Sequence, residues 1–198
     1  EIYTLSLHDA LPILLAMGIG ISGLSSSNNQ LIPILSLILG TIVGELLNIE
    51  HAVERMGEWL QKKFSGIGRI TEGFVTGTLV FAVGAMAVMG GLDSGLKNDH
   101  TILFAKSIID CVSAVAFAGS MGVGVAFAGG SVLLVEGLVT ILASLVAPLF
   151  TDAVLAELTF TGSLLLIGIG LNVMGLTKLR ILNMMPAVLF PILLCQFM

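Results

Sequence analysis

Apolar residues in this chain come in blocks about as long as a membrane is thick. The blocks fall at 31–48, 73–92, 101–120, 124–149, 158–176 and 181–197, with a shorter one at 13–24. A helix crosses a hydrocarbon core of about 30 Å in about 20 residues. Inside that core every backbone polar group must be bonded within its own segment, so the blocks predict helices. The expected fold is all-α: a polytopic transmembrane bundle of about seven helices. With 56% hydrophobic and only 11% charged residues over 198 positions, no second domain is expected.

The opening stretch EIYTLSLHDALPI (1–13) fits neither the blocks nor the loops and has no basic leader region. It resembles translated sequencing-adapter sequence. Residues 1–13 are therefore expected to be a non-native artefact, and 14–198 a single transmembrane domain. On that reading a further N-terminal helix is missing, and the intact protein has eight.

Basic residues near span ends mark the cytoplasmic side. Arg55, Lys62, Lys63 and Arg69 lie in the 50–70 connection, and Lys178 and Arg180 in the 176–181 connection; together they are six of the eight basic residues. Seven helices of alternating direction put these two connections on one side. Loops 25–30, 93–100 and 150–157 then share the opposite side, with Asp93, Asp99, Asp152 and Glu157 against Lys97 alone. The 50–64 stretch is not a span. Ile49, Val53, Met56 and Leu60 recur at helical spacing, Glu50, Glu54, Glu58 and Lys62 face the other way, and Trp59 suits the headgroup level. An interfacial amphipathic helix is expected, as a plain connector or as a surface that recruits a partner.

Small residues let membrane helices approach closely. Gly73, Gly77, Gly84, Ala87 and Gly91 line one face of block 73–92, and Gly40 and Gly44 form a further GxxxG; such faces suit helix packing and would permit a homo-oligomer. Gly119, Gly122, Gly124, Gly129 and Gly130 point to a tight hairpin or to a broken segment. LLAMGIGISGL (14–24) and LLLIGIGLNVMGL (164–176) share a Gly-Ile-Gly core in helices expected to run in opposite directions. They read either as an inverted repeat of the kind transporters use or as chance similarity between apolar helices.

Charge within a span is costly and marks function or a structural lock. Lys106 and Asp110 stand four residues apart in block 101–120, so they share a helix face and can pair; Ser113 and Ser120 continue that face. Glu136, near the middle of block 124–149, must be protonated, hydrated or paired across helices, and Lys106 is one available partner. Asn172, on a face with Thr161 and Gly168, is polar glue between helices or part of the same site. The substrate-binding set expected from sequence is thus Lys106, Asp110, Glu136 and Asn172. Paired charges fixing helix register are the alternative. Cys111 and Cys195 lie in apolar blocks and read as buried free thiols. No Ser-His-Asp set, zinc motif, phosphate loop or dinucleotide fingerprint occurs, so neither enzyme activity, metal nor cofactor is expected. A net charge of −5 with no basic patch argues against nucleic acid.

GEWL (57–60), EGFVTGTLVFAVGAMA (72–87), DHTILFAKSIID (99–110), FTDAVLAEL (150–158) and GIGLNVMG (168–175) together resemble the bacterial multi-pass membrane family known as domain of unknown function 554. The resemblance runs from about Leu14 to the C-terminus and implies a bacterial inner-membrane protein. It implies no reaction or substrate. The function expected from the residues is a small transporter or channel-like permease for an ion or small polar solute. The alternative is a non-transporting scaffold or regulator acting through the 50–64 helix.

Overall fold

The computed structural model describes residues 7–64, 70–82 and 85–197, which are helical with no strand among them. In chain order the helices are α1 (Leu7–Gly23), α2 (Leu31–Leu47), α3 (Ile49–Lys63), α4 (Thr71–Ala82), α5 (Ala85–Lys97), α6 (Thr101–Met121), α7 (Gly124–Ile141), α8 (Ala143–Val146), α9 (Asp152–Val173), α10 (Ile181–Met184) and α11 (Phe190–Leu194). Residues 1–6, Arg69 and Gly84 lie outside the described residues. Of the stretch expected to be foreign, 7–13 continue into α1, and Ile13 is buried.

The seven apolar blocks are all helical, but they are not seven straight spans. Among the described residues α6, α7 and α9 are long and apolar enough to cross a membrane singly. The number rises to five if each of two bent pairs, α2 with α3 and α4 with α5, counts as one span. Block 73–92 is broken: α4 stops at Ala82, α5 starts at Ala85, and their axes differ by 61°. Block 124–149 ends its long helix at Ile141, before the short α8 and a 3-10 turn with Pro148. Block 181–197 is cut by Pro186 and Pro191 into α10, a 3-10 turn and α11. Proline removes a backbone donor and crowds the preceding turn, so a regular helix cannot run through it.

α9 is the hub, with 61% of its apolar window buried, against 17% for α6 and α7. Around it the core gathers Leu79, Phe81, Phe117, Leu158, Leu165 and Ile169. Outward, α2 exposes Ile34, Ile38 and Ile42, α6 exposes Phe104, Ile108 and Val112, and α7 exposes Leu133, Leu138 and Ile141. An apolar belt this broad belongs to a protein whose solvent is lipid. Cys111 lies on it, exposed on the outer face of α6 rather than buried.

The small-residue faces are filled by the chain's own helices. A Cβ on Gly73 would stand 2.8 Å from Val125 N, on Gly77 2.8 Å from Ala128 Cβ, and on Gly91 2.7 Å from Val139 Cγ1. α4 and α5 therefore run along α7 in the same direction. Gly40 and Gly44 lie against the backbone of Ala187 and Asn183, so α2 runs antiparallel to the C-terminal segment. The glycine-rich α6–α7 junction is a tight hairpin, not a broken segment, and Gly122 takes φ +80°, which glycine adopts without strain.

The two Gly-Ile-Gly segments pack on each other antiparallel. A Cβ on Gly20 would stand 2.7 Å from Ile167 Cγ1; one on Gly170 would stand 2.7 Å from Met17 Sδ. Gly20 and Gly170 are 150 positions apart, as are Met17 and Ile167, so each contact maps onto the other when the helices are exchanged. α1 ends at Gly23 and α2 starts at Leu31; α9 ends at Val173 and α10 starts at Ile181, again 150 positions on. Two helical hairpins whose turns fall at matching positions thus face each other in inverted orientation.

α3 bends 54° away from α2 at Asn48, which sits in the left-handed region (φ 50°, ψ 52°). Its Trp59 is exposed with the Lys63 ammonium 4.8 Å from the ring centroid, as an interfacial helix would place them. Glu50 is the exception to the expected polar face: it turns toward the bundle.

Candidate functional site

Lys106 is 7% exposed, and its ammonium lies where three helices meet. Asp110, one turn further along α6, pairs with it as the spacing predicts. Glu136 approaches from α7, its Oε1 3.0 Å from Lys106 Nζ. That oxygen is buried and outside hydrogen-bond alignment, so the contact is electrostatic. The third partner comes from α4: Nζ donates to the carbonyl of Phe81 at 2.9 Å. That carbonyl lies in the last turn of α4 as described, next to the 61° turn into α5, at the end where the helix dipole favours a cation. Buried charges persist only when paired and hydrogen-bonded, and this ammonium has both kinds of partner.

Two cavities border the cluster. One of about 290 Å³ is lined by Ile19 and Ser22 of α1, Val80 of α4, Lys106 and Asp110 of α6, and Ser163 of α9. The other, about 270 Å³, lies between α6 and α7 and is lined by Ser107, Asp110, Cys111, Gly129 and Glu136. Asp110 borders both. A smaller cavity of about 120 Å³ sits toward the opposite end of α9, lined by Glu50, Thr76, Leu79, Ile169, Asn172 and Leu179. Leu79, Leu166 and Ile169 lie between it and the first.

Asn172 is not part of the charged cluster. Its amide nitrogen donates to Leu179 O at 2.7 Å, and its oxygen accepts from Leu179 N at 2.9 Å and Thr177 Oγ1 at 2.7 Å. It closes the turn after α9, where a short polar side chain satisfies backbone groups that the helix end leaves free. Of the four expected residues the structure brings together Lys106, Asp110 and Glu136.

The sequence places Glu157 in an acidic outer loop; in the structure it lies within α9, 1% exposed. Its Oε2 accepts from Ser27 Oγ at 2.7 Å; its Oε1 accepts from Asn28 N at 2.8 Å and Asn29 N at 3.0 Å. It fixes the α1–α2 loop just ahead of α2, where a carboxylate also favours the helix dipole. The signal for it was Thr151, whose side chain caps α9 by accepting from Val154 N at 3.3 Å. That cap starts the helix at Asp152 and puts Glu157 inside it.

At the other end, Arg180 links α2 and α3. Its Nη1 is 3.3 Å from Glu45 Oε2 and its Nε 3.7 Å from Glu50 Oε2, while Asn183 Oδ1 accepts from Glu50 N at 2.8 Å. Burial, the Glu54 charge and the Glu45 charge hold the Glu50 carboxyl above its ordinary range, with Arg180 opposing.

The fold and this cluster define a class: an all-α membrane protein with a charged, cavity-lined site inside its helix bundle. Residues 7–196 match the family model described as Protein of unknown function (DUF554), and the chain belongs to that family. The match covers 7–13 as well, ahead of the expected start at 14. The chain is 26% identical over 180 residues to "Uncharacterized membrane protein YdfK" of Bacillus subtilis (strain 168), covering 89% of this chain and 76% of that protein. It is 28% identical over 182 residues to "Uncharacterized protein YqgA" of Escherichia coli (strain K12), covering 89% of this chain and 77% of that one. No solved structure matches.

Proposed function

We propose that this protein is a small permease of the bacterial inner membrane that moves an ion or small polar solute, with Lys106, Asp110 and Glu136 as its intramembrane site. The observation that carries the reading is one buried ammonium held by two carboxylates and a backbone carbonyl at the end of α4, where the chain bends by 61°, all bordering cavities. A pair needed only to lock helix register would not require a third charge, a broken helix and open space beside it. Broken helices whose free ends meet a solute near the midplane, set between inverted repeats, are a recurring transporter arrangement. The facing α1–α2 and α9–α11 hairpins supply such a frame. The cavity beside Ser22 and the one beside Glu50 give half-paths separated by the Leu79–Leu166–Ile169 layer.

Purified protein in liposomes, assayed by solid-supported-membrane currents across a panel of ions and small metabolites, tests this. At least one solute should give a saturable current that Glu136→Gln abolishes without unfolding the protein. No current for any solute, or a current indifferent to Glu136→Gln, ends the reading. The scaffold reading draws on the exposed Met56 and Trp59 of α3. It gains only if a partner is captured through residues 50–64 and lost on Trp59→Ala.

A further inference from the structure

Resting on the permease reading, we propose that the oxygens of Phe81, Asp110 and Glu136 form the substrate subsite, and that its substrate is a small primary alkylammonium. In the state seen here the subsite is filled by the protein's own alkylammonium, the side chain of Lys106.

Three features carry this. First, three oxygens surround the nitrogen of a primary ammonium: Phe81 O accepts from Nζ at 2.9 Å, the Asp110 carboxylate pairs with it, and Glu136 Oε1 stands 3.0 Å away in electrostatic contact, so two of the three N–H donors are taken and the third faces a carboxylate. Each comes from a different helix, α4, α6 and α7. Second, two carboxylates against one ammonium leave a formal charge of −1, and the C-terminal end of α4 adds a partial negative charge. Anions are repelled, and a second cation that displaces Lys106 is welcomed. Third, the cavity next to Nζ is apolar over most of its wall, with Ile19, Val80, Ile109 and Leu166, and carries the hydroxyls of Ser22 and Ser163. Hydrocarbon walls suit an alkyl chain and offer nothing to a bare metal ion. Three cage oxygens are also about half of what a divalent cation takes.

Lys106 is therefore a tethered competitor. It keeps two carboxylates from facing each other unpaired when no substrate is bound, and it must leave the cage when a substrate ammonium enters. Asp110, bordering both cavities, is the residue over which the exchange passes.

Lys106→Ala empties the cage and tests the chemistry by rescue. The variant is heated in detergent with butylammonium, potassium, tetramethylammonium or guanidinium chloride at equal ionic strength. Butylammonium should restore the melting temperature in a saturable way, with a midpoint at least about tenfold lower than that of potassium, a difference of about 1.4 kcal/mol. Tetramethylammonium, which has no N–H donor, should do nothing. Equal action by potassium, or none by butylammonium, overturns the proposal. A second measurement does not depend on that variant folding: labelled butylammonium should bind the wild-type protein saturably and lose that binding in Asp110→Asn. Absence of saturable binding also overturns it. Rescue and binding with no current for any solute, butylammonium included, would leave an amine site and sink the permease reading. Current for another solute, without rescue or binding, would do the reverse.

Discussion

Replacing Glu157 separates acceptor geometry from charge at the best-bonded carboxylate in the bundle. Glu157→Ala removes the acceptor from three donors, Ser27 Oγ, Asn28 N and Asn29 N. An unsatisfied buried donor costs about 1–3 kcal/mol. These three are only partly buried, so water answers some of them and the lower end applies, about 1 kcal/mol each. Losing one buried methylene adds about 0.8 kcal/mol. The expected destabilisation is about 4 kcal/mol. At about 2–4 °C per kcal/mol for a chain of this size, the melting temperature should fall by about 8–16 °C. Glu157→Gln keeps one oxygen for the two backbone amides and lets the Ser27 hydroxyl rotate to accept from the new amide. It loses only charge assistance, about 1–2 kcal/mol. Thermal unfolding in detergent, followed by tryptophan fluorescence at Trp59, measures both. Glu157→Ala within about 1 kcal/mol of wild type would show that the loop does not depend on this carboxylate. Gln as damaging as Ala would refute the geometric account and leave charge alone as the cause.

Lys106→Met should destabilise by about 3–5 kcal/mol, because it strands two carboxylates. Asp110→Asn should cost less, about 1–3 kcal/mol, since Glu136 and the Phe81 carbonyl still hold the ammonium; unfolding in detergent ranks the two, and the reverse order would deny Lys106 its central place. Because the folded protein holds Glu50 above its ordinary carboxyl range, it binds that proton more readily than the unfolded chain, so this contribution is present at low pH and lost as pH rises through the raised value. Glu50→Gln should therefore flatten the fall in melting temperature above the ordinary carboxylate range, seen in a pH series. In a background with Cys111 and Cys195 replaced by serine, single cysteines at Lys62 and Asn98 should label from opposite sides of the membrane; labelling from one side would discard the assignment of the basic connections to the cytoplasm.

The sequence disclosed what depends on local spacing. Helices followed from apolar blocks, and the Lys106–Asp110 pair followed from a separation of four, because one helix face brings such residues together whatever the rest of the fold does. Glu136 stands out by the cost of a carboxylate in hydrocarbon; the sequence leaves it protonated, hydrated or paired, with Lys106 as one available partner, and the structure sets the two 3.0 Å apart. Asn172 misled for the same reason it looked informative. A polar residue near the end of an apolar block satisfies the helix terminus as readily as it serves a site, and only the position of the 174–180 turn decides between them. Glu157 falls just ahead of the apolar block 158–176 and so reads as loop, whereas the Thr151 cap starts the helix at Asp152 and brings Glu157 inside it.

The break between α4 and α5 had no such local sign. Block 73–92 contains no proline, and its apolar residues run through, so nothing in one dimension says that the helix stops at Ala82. The stop is a tertiary matter. Gly73 and Gly77 bring α4 hard against α7, Gly91 does the same for α5, and one straight helix need not satisfy both contacts at once. The end of α4 is thereby set beside Lys106, 25 positions along the chain from Phe81. Close packing at the glycines and binding at the carbonyl are thus parts of one arrangement. A side chain added at Gly77 should disturb the charged cluster although it touches none of its members, because it parts α4, which carries the Phe81 carbonyl, from α7, which carries Glu136.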